Sequence, residues 1–157
     1  MHQNLIFNTS LTETFYYKQK IDFLKCTLDC VDTIGGRIKY YRLTNHITQE
    51  ELAARAGLNP CTIKRIESNS IDNPLETCKK IARAIGVSPE LFYDDYLAFI
   101  ASDYSYKIKQ VRKELHLTQQ KFGGLLNLHR KTILRWEKRI DCPSRENFIL
   151  LRKKRLI

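Results

Sequence analysis

The stretch Thr48-Gln49-Glu50-Glu51-Leu52-Ala53-Ala54-Arg55-Ala56-Gly57-Leu58-Asn59-Pro60-Cys61-Thr62-Ile63-Lys64-Arg65-Ile66-Glu67 decides the fold. Thr48 is a good N-cap, and Glu51 three residues on completes a capping box. Gly57 stands where a helix ends in a left-handed residue. Asn59 caps the next helix, with Pro60 at its first position, where a missing N–H costs nothing. The pattern predicts helices over Gln49–Ala56 and about Pro60–Ser68, joined by a three-residue turn. Helices that cross so steeply need a small residue at the crossing, here Ala53. They also need apolar residues to lock them, here Leu52, Leu58, Ile63 and Ile66.

Working outward, Gly35-Gly36 precede a first helix over about Arg37–Asn45. Asn69 to Asn73 read as a loop. A fourth helix spans Leu75–Ile85 and stops at Gly86. A fifth starts at Ser88-Pro89 and extends through Leu97-Ala98-Phe99-Ile100. Upstream, Thr12–Val31 carries Phe15, Ile21, Leu24 and Leu28 at helical spacing, so an N-terminal helix is expected there.

The chain repeats itself at an offset of 70 residues. Ile38-Lys39 matches Ile108-Lys109, Arg42 matches Arg112, and His46 matches His116. Thr48-Gln49 matches Thr118-Gln119, Leu58 matches Leu128, and Thr62-Ile63 matches Thr132-Ile133. Arg65, Glu67 and Glu76 match Arg135, Glu137 and Glu146. The second copy predicts helices near Tyr106–Leu115, Gln119–Leu126, Arg130–Lys138 and Arg145–Lys154. Gly123 takes the crossing, Asn127 the left-handed turn, and Phe122, Leu128, Ile133 and Trp136 the lock. Trp136 stands in place of Ile66 and reads as core. The chain ends before an equivalent of the fifth helix, so Leu91-Phe92-Tyr93 to Ile100 is expected to pack against both units. The fold class is all-α, with tandem units of about five and about four helices behind an N-terminal helix. The expected boundaries are 1–34 for an N-terminal helical arm, 35–100 for the first unit and 101–157 for the second.

The net charge of +10 is lopsided. Residues 101–157 hold 15 Lys+Arg and 5 Asp+Glu, whereas residues 1–100 hold 12 of each. A basic block of that density suits a polyanion such as nucleic acid. The five cysteines Cys26, Cys30, Cys61, Cys78 and Cys142 are irregularly spaced and read as reduced, mostly buried thiols. No second Cys or His pair completes a metal site with Cys26 and Cys30, so neither a metal nor a cofactor is expected. No apolar run approaches a membrane span, and the N-terminus does not look like a signal peptide, so a cytoplasmic location is expected. There is no phosphate-binding glycine loop, no His-Glu-x-x-His and no nucleophile with a base, so neither an enzyme nor a small-molecule substrate is expected. The acidic pair Asp94-Asp95 reads as a solvated helix face.

The stretch from Thr48 to Glu67, continued by Leu75-Glu76 and by Ile81-Ala82-Arg83-Ala84-Ile85-Gly86-Val87-Ser88, resembles the lambda-repressor-like helix-turn-helix family of Cro and CI type. Residues 106–154 are similar, departing at Gly123-Gly124 and Asn127. The resemblance implies that the third helix of each unit lies in the major groove of double-stranded DNA and reads base edges with its first residues. Carried over, the reading positions are Pro60, Cys61, Thr62 and Arg65, and Arg130, Lys131, Thr132 and Arg135. The second set is better suited to guanine. The resemblance also puts Gln49 and Gln119 on phosphate; Lys64, Lys138, Arg139, Asn69 and Ser70 are further phosphate candidates. It makes Arg42 with Glu67, and Arg112 with Glu137, structural ion pairs.

Two functions fit these expectations. One is a sequence-specific, repressor-like transcriptional regulator, either straddling two half-sites with one chain or acting as a homodimer. The other is an antitoxin-like or adaptor module whose main partner is a protein and whose DNA binding is secondary.

Overall fold

The computed structural model describes residues 32–71 and 74–157, and every regular element among them is helical. The helix expected over Thr12–Val31, with Cys26 and Cys30, lies outside the described residues. The chain forms two compact units, one through Tyr93 and the other over Asp94–Ile157.

Unit one holds α1 (Ile34–Thr44), α2 (Gln49–Ala56), α3 (Pro60–Glu67), α4 (Leu75–Ile85) and a 3-10 turn over Pro89–Phe92. The capping box at Thr48 and Glu51 is formed, and Asn59 accepts from the Cys61 N–H at 2.8 Å. Gly57 and Gly86 end their helices with φ of +62° and +79°. The first helix begins earlier than expected: Gly35 and Gly36 do not precede it but form its buried first turn, capped by Thr33. The reason is tertiary. A Cβ on Gly35 would lie 2.3 Å from the carbonyl oxygen of Ile66, so only glycine lets α1 start against the end of α3. Ile38, Leu52, Ile63, Ile66, Ile81 and Phe92 are almost wholly buried. Each side chain of this kind contributes about 1.5–3 kcal/mol on leaving water.

The expected fifth helix is two elements. After the 3-10 turn the backbone at Tyr93 is extended, which breaks the helix, and the Tyr93 carbonyl accepts from the Arg37 guanidinium at 2.6 Å. Asp94 then caps a separate helix, α5 (Asp95–Ala101), by accepting from the Leu97 N–H.

Unit two contains α5, α6 (Tyr104–Glu114), α7 (Gln119–Leu125), α8 (Arg130–Glu137) and α9 (Arg145–Lys153). Here α5 supplies the cover that a fifth helix would give. Tyr96 and Phe99 pack on Phe148 with ring centroids 5.7 and 5.2 Å apart, and the Tyr96 hydroxyl donates to the Pro143 carbonyl at 3.0 Å. The apolar stretch from Leu91 to Ile100 therefore divides, with Phe92 in the core of unit one and Tyr96 to Ile100 in that of unit two. Of the acidic pair, Asp95 is solvent-facing as expected and meets Arg152 at the surface, whereas Asp94 is partly buried, caps α5 and pairs with Arg145 of α9. Phe122, Ile133, Trp136 and Leu151 fill the centre. At the α7–α8 crossing, Asn127 takes the left-handed turn with φ of +53°. No helix among the described residues is long and apolar enough to cross a membrane.

Candidate nucleic-acid interface

The repeat identities converge on one buried network per unit. In unit one, Arg42 donates to both carboxylate oxygens of Glu67, at 2.6 and 3.1 Å, and to the Ile47 carbonyl at 3.0 Å. Gln49 adds an amide N–H to the same carboxylate at 2.7 Å. In unit two, Arg112 reaches Glu137 at 2.5 and 3.1 Å and the Leu117 carbonyl at 2.9 Å, and Gln119 reaches Glu137 at 2.8 Å. Both carboxylates are 5% exposed, so their charges are compensated almost entirely by these donors. Burial pushes the Glu137 carboxyl up. Hydrogen bonds from Arg112 and Gln119 outweigh that and hold it below the usual range. The network ties the first, second and third helices of each unit together, and so fixes the outward face of the third.

That face differs between the units. In α8, Ile133 and Trp136 point into the core. On the opposite side, Lys131, Arg135 and Lys138 follow at i, i+4 and i+7, all exposed, with Arg130 at the helix start. The stripe spans about 10 Å, close to the ~12 Å width of the major groove. Arg130, Lys131 and Lys138 have no ion pair among the described residues. In α3 the same positions hold Cys61, Arg65 and Ser68, also exposed, with Pro60 and Lys64 beside them. Thr62 and Thr132 are half-buried, and their N–H groups bond the N-cap carbonyls at 2.8 and 2.9 Å. Of the expected reading residues, Cys61 and Arg65 in one unit and Lys131 and Arg135 in the other thus share an exposed face of the third helix, with Pro60 and Arg130 at its start, and only the second of those faces is strongly cationic.

The phosphate candidates separate into three groups. Lys64 and Lys138 stand free on the surface among the described residues. Gln49 and Gln119 are turned toward Glu67 and Glu137, which leaves each amide one further N–H to donate. Asn69 and Arg139 occupy equivalent left-handed positions after the third helix, with φ of +56° each, and clasp it to the first. Asn69 accepts from the Gly35 N–H at 2.9 Å and donates to the Thr33 hydroxyl at 3.2 Å. Arg139 donates to Asp103 at 2.7 Å and to the Ser105 hydroxyl at 3.2 Å. Ser70 bonds the Ser68 hydroxyl at 2.9 Å.

Sequence reading missed three features here. His129 caps α8, its Nδ1 accepting from the Lys131 N–H at 3.2 Å; its alignment with Asn59 was the available signal. The clasp was hidden because Thr33, Gly35 and Asn69 align with Asp103, Ser105 and Arg139, which are unlike residues. Asp141, which pairs with Arg135, aligns with Ile71 and gave no repeat signal.

Compared with known families, the one described as Helix-turn-helix matches the chain twice, over residues 38–92 and 108–154. A curated relative is named an uncharacterized HTH-type transcriptional regulator of Methanocaldococcus jannaschii. It is 39% identical over 62 residues, which cover 38% of this chain and 94% of the relative. No solved structure matches the chain.

Proposed function

The chain belongs to the helix-turn-helix family of transcriptional regulators, and from that premise we propose that it binds specific sequences of double-stranded DNA as a repressor. The observation that carries this reading is the exposed cationic stripe of α8, Arg130, Lys131, Arg135 and Lys138, standing on a helix braced by the Arg112–Glu137 network. A helix fits the major groove, and Arg and Lys side chains on its outer face can donate to guanine O6 and N7. Unit one would read more by shape. Pro60 and Cys61 offer apolar contact suited to a thymine methyl, with Arg65 as the cationic reader and Lys64 toward phosphate. Two docking units in one chain supply two half-sites without a second copy, at high effective concentration. The geometric expectation is half-sites about 34 Å apart. Repression would be steric, by occupying a promoter.

Selection of bound duplexes from a random pool identifies the site, and electrophoretic shift compares variants on it. Arg130→Glu/Lys131→Glu is expected to lose at least about a hundredfold in affinity. Lys138→Ala should lower the slope of log K against log salt by about one. A charge-reversed variant that binds as tightly as the parent would overturn the reading. A reporter placed behind the selected site tests repression, and unchanged expression would count against that part.

A further inference from the structure

A carboxylate on a DNA-facing cationic edge repels phosphate, yet Asp141 stands there, exposed and paired with Arg135. An exposed ion pair adds little to folding. The surrounding loop nevertheless holds Asp141 in place. Arg139 turns the chain in the left-handed conformation and is anchored on Asp103 and Ser105, with its guanidinium 5.7 Å from the Tyr104 ring centroid. The Tyr104 hydroxyl donates to the Asp141 carbonyl at 3.1 Å, and the Ile140 N–H bonds the Arg135 carbonyl at 2.9 Å. This brings the Asp141 carboxylate against one particular donor, the Nε–H of Arg135.

The choice of donor matters. With Nε engaged, the guanidinium is restrained, and the two terminal Nη groups, which have no hydrogen-bond partner among the described residues, are left to donate. That pair of donors can meet guanine O6 and N7. We propose that Asp141 is a positioning residue that holds Arg135 ready to grip a guanine, so that unit two selects one base pair more sharply than Arg135 alone would. The hydrogen bond from Arg135 also holds the Asp141 carboxyl below its usual range, so the carboxylate is charged at neutral pH. Unit one has no such device: the position matching Asp141 is Ile71, and Arg65 has no ion pair among the described residues. The proposal rests on the DNA-binding reading above.

The test compares base preferences of the parent, Arg135→Ala, Asp141→Ala and Asp141→Asn by duplex selection and competition. Thermal midpoints, followed by Trp136 fluorescence, check the fold. Arg135→Ala is expected to flatten the preference at one base pair. Asp141→Ala and Asp141→Asn should weaken it at that same pair by a few-fold to about tenfold, the cost of ordering one long side chain at the moment of binding. Midpoints should be unchanged. Should Asp141→Ala lower its midpoint, the near-isosteric Asp141→Asn carries the comparison. The proposal is overturned if the Asp141 variants keep the parent's preference at that pair, even when they bind every duplex more tightly. It is also overturned if Arg135→Ala alters no preference. A parent chain with no base preference at all would instead overturn the underlying function.

Discussion

Gly123 and Gly124 are adjacent in α7, and alanine at each should act on stability with opposite sign. A Cβ built on Gly123 lies 2.6 Å from the Leu128 carbonyl oxygen and 3.5 Å from the Ile133 side chain. Ordinary C···O contacts begin near about 3.3 Å, so the added methyl is roughly 0.7 Å too close to a backbone atom that cannot rotate away. The helices must part at their crossing, and overpacking of this kind costs about 1–3 kcal/mol. Replacing glycine in a helix returns about 1 kcal/mol. The expected balance for Gly123→Ala is a loss of about 1 kcal/mol. A Cβ on Gly124 meets nothing within 4 Å, so Gly124→Ala keeps the helical gain of about 0.5–1 kcal/mol without the clash. In a unit of this size 1 kcal/mol moves the thermal midpoint by about 4–8 °C. Trp136 is the only tryptophan and is buried in the core of unit two, so its fluorescence follows that unit. A Gly123→Ala protein that melts above the parent, together with Gly124→Ala, would refute the reasoning, because the Leu128 carbonyl would then have given way at little cost.

Two further expectations concern the buried networks. Arg112→Ala strands the Glu137 carboxylate and should cost about 3–5 kcal/mol in urea unfolding, with Glu137→Gln milder. The folded pKa of Glu137 is depressed, so its contribution is present above the unfolded value of about 4.3 and is lost as pH falls through the folded one. The acid limb of a stability–pH curve should therefore be shallower in Glu137→Gln; an unchanged limb would remove Glu137 as its source. In unit one, Asn69→Ala removes the acceptor of the Gly35 N–H and should cost about 1–3 kcal/mol. Amide exchange at Gly35 should quicken, and an unaltered rate would mean that the clasp does not hold α1.

Most of the helix-turn-helix units was legible because it is written in short-range chemistry. Thr48 with Glu51, Gly57, and Asn59 before Pro60 each act within a turn of their own position, and α2 and α3 fall where those signals put them. The offset of 70 residues extended the same logic to Asn127 and to Trp136 in the core. Reading failed where a residue's neighbours are remote. Gly35 looks like a helix breaker until the Ile66 carbonyl is brought beside it.

Composition and spacing alone thus determined the helical class, the duplication and the cationic outer face of α8, because helix periodicity sorts exposed from buried positions without knowledge of the partner. Only the tertiary structure decided that α5 serves unit two, that Arg139 is anchored on Asp103 and Ser105, and that Asp141 meets the Nε of Arg135. These pairings join side chains that no local rule relates. The last two arise when the turn after α8 folds back onto the start of α6, and the first when α5 packs on α9; a linear pattern carries no record of either approach.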